Sequence, residues 1–206
     1  MSIAITGLGI ATAIGINLEE NLNSLKNLKS GISKIELISG LKESFLGGEI
    51  KLTDKELSLI AFGKDKKEIL PRSLLLSLIS AKEAWGENTI NPKIKTVIIG
   101  ATTVGGMDLS EKCLEKNKRI RTLEDNNSGL IIDYLGDYFK LDGFKTTIST
   151  ACSSSTNAIM LGSRMIKNGL ADRVLVGGSD ALTKFTVKGF NSLRIYDNDL
   201  CKPFDN

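Results

Sequence analysis

Apolar positions along the chain follow two patterns, short continuous runs and longer stretches with helical spacing. Runs at residues 2–8, 95–100 and 172–177 are typical of strands buried in a sheet that is covered on both faces. Residues 144–149, FKTTIS, are predicted to form a further strand. Helical spacing predicts helices over 18–30, 72–85, 108–116, 128–139 and 152–168. Because strands and helices alternate, we expect an α/β fold with a largely parallel sheet and helices on its faces.

Local signals refine the ends of these elements. Asn17 is suited to cap the first helix, and Gly169 is suited to end the last one. Residues 32–70 are less regular, with short strand-like pieces near Ile35 and Phe45 and a Lys/Asp-rich stretch near Lys64. We expect this region to be a surface excursion.

Composition places the chain among ordinary globular proteins. Of 206 residues, 41% are hydrophobic, 25% charged and 5% aromatic, which argues against disordered, collagen-like and disulfide-scaffold classes. This length is sufficient to bury a sizeable core without disulfide or metal cross-links.

Histidine is absent from all 206 residues. A Ser-His-Asp triad, a Cys-His pair and an imidazole metal site therefore cannot be completed within these residues. Gly7 and Gly9 suggest a dinucleotide-binding turn, but Thr12 stands where its third glycine is required. We favour a plain turn and expect no cofactor and no metal.

Charge and cysteine spacing suggest an intracellular protein. The 27 basic and 24 acidic residues nearly balance, and the basic stretches 64–67 and 116–121 lack interleaved aromatic residues, which favours solvated faces over a nucleic-acid site. Cys113, Cys152 and Cys201 lie far apart and are typical of reduced thiols. No signal-peptide pattern or membrane-length apolar run is visible. We expect a cytoplasmic protein with neither membrane nor nucleic acid as partner.

The segment Ser149–Ser155, STACSSS, joins a predicted strand directly to a predicted helix. Cys152 should therefore lie at a helix N-terminus, where the dipole favours the thiolate, which is the nucleophilic form. Its backbone N–H could also face an oxyanion that develops on an attacked carbonyl. Cysteine is equally common as a small buried apolar residue, and serines commonly cap helices. Spacing alone leaves both interpretations open, whereas Cys113 and Cys201 are interpreted as structural.

The predicted helix after Cys152 carries small residues at Ala158, Gly162 and Ser163. Such a face permits close approach of another backbone. The approach could be packing within the same domain or contact between subunits.

Residues 149–183, STACSSSTNAIMLGSRMIKNGLADRVLVGGSDALT, closely resemble the nucleophile region of the β-ketoacyl-ACP synthases. The order of further segments agrees with that family: ITGLGIATAIG, LKSGISKI, PRSLLLSLISAKEAW, GATTVGG and GFNSLRIYDNDLCKPFDN. One departure is Ala13, where the family usually has proline. The TACSSS sequence is more similar to elongating synthases than to initiating synthases or thiolases.

This resemblance implies specific roles for three residues. Cys152 would accept the acyl group and its N–H would be one of two oxyanion donors, while Val104 and Phe190 would line the acyl pocket. The implied reaction is transacylation onto Cys152 from acyl carrier protein with phosphopantetheine-bound acyl groups. Decarboxylative condensation with malonyl-carrier protein would follow, in fatty acid or polyketide synthesis. The implied fold is thiolase-like, and such enzymes are usually dimers.

Members of the resembled family are about twice this length, and their second half supplies two histidines, a lysine and the other oxyanion donor. We therefore expect residues 1–206 to be the N-terminal domain, with the C-terminal half absent, able to carry an acyl group but not to condense it alone. The partner would be a second copy, a complementary C-terminal half or another synthase subunit. Alternatives are a non-catalytic partner resembling a chain-length factor, which retention of Cys152 disfavours, and a truncated structural fragment. A thiolase or initiating synthase is disfavoured by the serine run.

Overall fold

The computed structural model describes residues 2–41, 44–66, 68–115, 127–197 and 199–201. Its strands are β1 (Ser33–Lys34), β2 (Leu46–Gly47), β3 (Thr96–Ala101), β4 (Lys145–Ile148) and β5 (Arg173–Gly178). Its helices are α1 (Leu18–Lys26), α2 (Asp54–Phe62), α3 (Arg72–Trp85), α4 (Met107–Glu115), α5 (Leu130–Tyr138), α6 (Ser154–Lys167) and α7 (Lys184–Ser192). The basic stretch 116–121 and the final residues 202–206 lie outside the described part.

Three parallel strands form the main sheet in the order β4-β3-β5, as the alternation of elements predicts. The register pairs Ala101 at the end of β3 with Ile148 on one side and Gly178 on the other. The carboxyl ends of all three strands therefore meet at one edge of the sheet. In parallel sheets the loops that follow these ends commonly carry the ligand-binding residues.

Helices cover both faces of the sheet. Ile98 joins the larger apolar cluster, which includes buried side chains of α2, α3 and α5. Val97 and Ile99 point to the opposite face and pack with Ala158 of α6. Every residue of β3 is buried, because this strand has a neighbour on each side and helices on each face. The predicted buried strand at 95–100 and the predicted helix at 72–85 are confirmed.

Small residues of α6 serve packing within the chain. Ala158 is fully buried, and a Cβ at Gly162 would lie 3.1 Å from Val174 Cγ1. The helix can therefore approach the sheet closely. Ile159 and Met160, by contrast, remain 54% and 43% exposed, so a second face of α6 is open.

The predicted strand at residues 2–8 is wrong. The segment forms no strand, and Ile5 is 80% exposed. Its backbone lies against α3, where a Cβ at Gly7 would be only 2.0 Å from the Ala84 carbonyl oxygen. The Ile10 N–H donates to the Glu83 carboxylate over 3.0 Å. A helix surface provides no ladder of backbone partners, so an apolar run placed there does not become a strand.

The expected surface excursion at 32–70 is also wrong in its second half, because α2 lies there. Leu57 and Ala61 of α2 are completely buried. The overlooked signal is a capping box, in which the Thr53 hydroxyl accepts from the Glu56 N–H and the Glu56 carboxylate accepts from the Thr53 N–H. This reciprocal pair is a strong sequence indication of a helix start.

Smaller differences concern element ends and burial. Asn17 caps α1 as predicted, accepting from the Glu20 N–H over 2.9 Å, but the helix ends at Lys26 rather than near residue 30. Both β4 and the first four residues of β5 are only partly buried, whereas we expected β5 to be buried. Within the described residues, β4 and β5 are the two outer strands of the sheet, so one side of each strand is less covered.

Helices α2, α3 and α4 are joined by a network of charges. Asp54 accepts from Arg72 over 2.9 Å and from Lys112 over 2.5 Å, and Lys112 also lies 3.3 Å from Asp108. Burial raises the pKa of Asp54, but the hydrogen bonds and charges of Lys112 and Arg72 outweigh it, so the pKa lies below its ordinary value. The network fixes the start of α4, and hence the far end of the loop that leaves β3.

The paired glycines Gly100 and Gly177 provide a matched test of sheet packing. A Cβ at Gly100 would lie 2.1 Å from Ile132 Cγ1, whereas no described atom lies within 4 Å of a Cβ at Gly177. We expect Gly100→Ala to lower the free energy of unfolding by about 1–3 kcal/mol through overpacking. Gly177→Ala should change it by less than about 0.5 kcal/mol. Urea denaturation measures both, and equal effects would contradict the packing described.

Candidate active site

A tight turn connects the end of β4 to the start of α6. Residues Ala151–Ser153 form a single 3-10 turn, and Ala151 has φ +51°. A non-glycine residue in the left-handed region is strained and persists only where its surroundings hold it. Strain of this kind often occurs at active sites, and here it lies immediately before Cys152.

The surroundings that hold this turn are hydrogen bonds from serines. The buried Ser154 hydroxyl accepts from the Thr150 N–H over 2.8 Å and donates to the Ala151 carbonyl over 2.7 Å. The Ser153 hydroxyl donates to the Thr150 carbonyl over 2.8 Å. These bonds close the turn on both sides of Cys152 and keep its backbone in one conformation.

Cys152 itself is exposed and lies within the 3-10 turn, two residues before Ser154, the first residue of α6. No acceptor for the Cys152 backbone N–H occurs among the described residues. The position therefore combines an accessible thiol with a free backbone donor beside it.

Cys152 opens on a surface pocket of about 220 Å³ at the carboxyl edge of the sheet. The walls come from the segments that follow β3, β4 and β5. The lining residues are Ala101, Thr102, Thr103, Ala151, Cys152, Ser154, Ser155, Gly178, Ser179 and Asp180. A Cβ at Gly178 would lie 2.2 Å from Ser155 Oγ and 3.1 Å from Ala101 Cβ, so a larger residue here would displace the Ser155 hydroxyl and crowd the end of β3.

Asp180 is the pocket residue that sequence reasoning missed. Its carboxylate accepts hydrogen bonds from the Thr102 hydroxyl and from the N–H groups of Thr103 and Val104. Residues 177–180, GGSD, also suit a plain tight turn, so local sequence does not single out this carboxylate. The available signal was a carboxylate placed directly after a strand of a parallel sheet, where such side chains reach the functional edge.

Val104 and Phe190 are placed differently with respect to Cys152. Val104 follows the pocket wall formed by Thr103, is partly buried, and does not itself line the described pocket. Phe190 lies on α7, is 48% exposed and also stands outside the lining set. Their role in acyl binding stays a prediction. Cys113 is partly exposed within α4, and Cys201 is exposed.

Residues 1–206 match the family model described as the β-ketoacyl synthase, N-terminal domain. The chain belongs to the β-ketoacyl synthase family. A curated relative is 3-oxoacyl-[acyl-carrier-protein] synthase 1 of Buchnera aphidicola subsp. Baizongia pistaciae, 29% identical over 213 residues, covering 93% of this chain and 50% of the relative. The β-ketoacyl synthase chain thus spans about half the length of the curated relatives it matches.

Solved structures share the fold. The ishigamide ketosynthase/chain length factor superposes with a TM-score of 0.80 at 21% identity, covering 98% of this chain and 53% of that one. A second solved structure holds a type II polyketide synthase acyl-carrier protein in complex with its ketosynthase. The match has a TM-score of 0.66 at 20% identity and covers 92% of this chain and 48% of that one. The thiolase-like α/β fold expected for this β-ketoacyl synthase domain is therefore confirmed.

Two kinds of feature are absent from the described ranges. Within them, no helix has the length and apolar character to cross a membrane. Nor do three or more His, Cys, Asp or Glu side chains of these residues converge as metal ligands.

Neighbouring serines allow a direct test of the nucleophile turn. Ser154→Ala removes both bonds of a buried hydroxyl and should lower the free energy of unfolding by about 1–3 kcal/mol. It should also change the rate at which iodoacetamide alkylates Cys152, because the strained turn is no longer held. Ser155→Ala is the control, since Ser155 is exposed and should cost less than about 0.5 kcal/mol.

Peptide mass spectrometry assigns alkylation to Cys152, Cys113 or Cys201, and urea denaturation gives stability. If Ser154→Ala behaves like Ser155→Ala in both measurements, the Ser154 hydroxyl does not hold the turn.

Proposed function

We propose that Cys152 accepts the acyl group in a β-ketoacyl-[acyl-carrier-protein] synthase. The observation that carries this proposal is the exposed thiol at the start of α6, inside a pocket formed by all three strand ends. Family membership gives the reaction class, and this geometry supports Cys152 as the nucleophile that the class requires. The donor is acyl carrier protein with a phosphopantetheine-bound acyl thioester.

The acyl transfer balances without a cofactor. The Cys152 thiolate attacks the thioester carbonyl, and a tetrahedral oxyanion forms that the Cys152 N–H can stabilise. Collapse expels the phosphopantetheine thiolate, which takes up a proton, and leaves the acyl group as a thioester on Cys152.

Val104 and Phe190 are proposed to line the acyl pocket. Val104 is supported by its place next to Thr103, a residue that lines the pocket. The backbone N–H of Val104 donates to the Asp180 carboxylate over 3.1 Å. Phe190 presents an exposed aromatic ring on α7. The Glu111 carboxylate of α4 accepts from the N–H of Lys184 and of Phe185, which fixes the start of that helix.

Condensation is proposed to need groups outside these 206 residues. The histidines that stabilise the carbanion after malonyl decarboxylation belong, by resemblance, to the C-terminal half of the family, and this sequence contains no histidine. We expect residues 1–206, acting as the N-terminal domain, to be acylated without condensing. Acylation requires only the thiol and its pocket, so it is the half-reaction to test.

A homodimer in the cytoplasm is the proposed assembly. Ile159 and Met160 on α6 and Phe144 before β4 are apolar side chains that remain exposed. Apolar patches on a soluble protein commonly mark protein contacts. A complementary C-terminal half or another synthase subunit would be the alternative partner.

A non-catalytic partner role is the second candidate. One structural neighbour is a ketosynthase/chain length factor, a name that joins a condensing subunit with its partner. The exposed Cys152 favours the nucleophile role, because a non-catalytic partner has no use for an accessible thiol. Loss of function in Cys152→Ala separates the two candidates.

The decisive experiment incubates the 206-residue chain with acyl-carrier protein that carries a saturated acyl chain. Intact-mass spectrometry should show a gain of one acyl group, removable by hydroxylamine. Cys152→Ala should abolish the gain, whereas Cys113→Ala should preserve it. An unchanged mass in the folded wild-type protein, or a gain that survives Cys152→Ala, would overturn the proposal.

A further inference from the structure

We infer that Asp180 is a positioning residue that holds the β3–α4 loop as one wall of the Cys152 pocket, and so sets acyl acceptance. This inference rests on the proposed acyl transfer to Cys152. It concerns a residue that neither takes part in covalent chemistry nor belongs to the nucleophile turn. It makes the Thr102–Val104 loop a determinant of which acyl groups enter.

The first step is the number of donors that converge on one carboxylate. Asp180 Oδ1 accepts from the Thr102 hydroxyl over 2.5 Å, from the Thr103 N–H over 3.0 Å and from the Val104 N–H over 3.1 Å. Asp180 Oδ2 accepts from the Thr103 N–H over 3.0 Å. Three consecutive residues thus depend on one side chain, and hydrogen bonds to a charged group are stronger than neutral ones.

The second step is that the hydroxyl of Thr102 is almost completely buried. Thr102 is 2% exposed, and its Oγ1 also accepts from the Gly105 N–H over 3.0 Å. Removal of the Asp180 acceptor would leave this hydroxyl proton without a partner. A buried unsatisfied donor is costly, so the loop would shift to satisfy it.

The third step is that hydrogen bonds of the neighbouring residue, Ser179, hold the backbone that carries Asp180. The adjacent Ser179 donates its N–H to the Ala101 carbonyl over 3.0 Å and its hydroxyl to the Ser73 carbonyl of α3 over 2.9 Å. The carboxylate is therefore presented from the end of β5, which is fixed to the sheet. A flexible support could not hold the loop in this way.

The fourth step connects the loop to the nucleophile. The Thr103 hydroxyl donates to the Ala151 carbonyl over 3.4 Å, immediately before Cys152. Thr103 and Cys152 line the same pocket. The Ser154 bonds that close the nucleophile turn do not involve Asp180. We therefore expect loss of Asp180 to alter the acyl wall more than the reactivity of the thiol.

Two variants remove the hydrogen-bond acceptors of Asp180 completely or in part. Asp180→Ala removes all acceptors. Asp180→Asn can keep one oxygen in the place of Oδ1 but presents an NH₂ donor to the Thr103 N–H, so it should retain part of the function. Asp172→Asn is the matched control, because Asp172 also anchors a loop, accepting from the Lys95 N–H over 2.7 Å, at the opposite edge of the sheet.

The test uses the full 206-residue chain. It measures KM and the maximal rate of acylation by carrier protein with short and long acyl chains, and the rate of Cys152 alkylation by iodoacetamide. Misplacement of a positioning group by about 1 Å can cost up to about 100-fold. We expect Asp180→Ala to lower acylation about tenfold and to change the ratio of short-chain to long-chain acylation, with Asp180→Asn intermediate. Iodoacetamide alkylation should stay within about twofold in both, and Asp172→Asn should match the wild type.

Failure of the inference and failure of the proposed function give different results. If the wild type is not acylated, the proposed function fails and the inference fails with it. If the wild type is acylated and Asp180→Ala keeps its rate and chain-length ratio, only the inference is overturned. Equal losses of alkylation and acylation at all chain lengths would also overturn it, since they would indicate general damage to the turn.

Discussion

The parallel register of β3 with its two neighbours is the constraint on which the candidate site depends. Ala101, Ile148 and Gly178 lie side by side because the strands run in one direction and pair without offset. The chain then leaves each strand at the same edge, once into the Thr102–Val104 loop, once into the nucleophile turn and once toward Asp180. A pocket at this edge is a consequence of the sheet, and Cys152 needs only a short turn to enter it.

The nucleophile turn and the β3–α4 loop are held in place by different contacts. Buried Ala158 and Gly162 bring the helix against the sheet, and this close approach fixes the helix start where the thiol lies. Ser154 then holds the strained Ala151, which orients the turn. The charge network of Asp54, Arg72 and Lys112 fixes the opposite end of the β3–α4 loop. Nucleophile and loop are thus held by different contacts and meet only at the pocket.

Sequence patterns predicted the elements whose burial matches their local periodicity. The central strand and α3 have nearly the predicted bounds, because each is apolar for the same reason that it is buried. The run at 2–8 failed because strand formation needs a partner, which no local pattern reports. Helix α2 was missed although Thr53 and Glu56 carry its capping box, since irregular flanking sequence hid its short apolar face. The strand-to-helix junction indicated that Cys152 lies before a helix, and its role as nucleophile stays a prediction. Asp180 was not singled out, because its partners are about 77 residues away along the chain and only the sheet brings them together.

The central claim, that Cys152 in this pocket takes the acyl group from a carrier protein, is tested most directly by burst stoichiometry. When the acyl-enzyme accumulates, deacylated carrier protein is released in a burst. This burst can be followed as free phosphopantetheine thiol after acyl-carrier protein is mixed with the chain. We expect a burst of about one thiol per protein molecule, followed by no further release in the absence of malonyl-carrier protein. The absence of a burst in folded protein with a free Cys152 thiol would contradict the claim, as would a burst of equal size from Cys152→Ala.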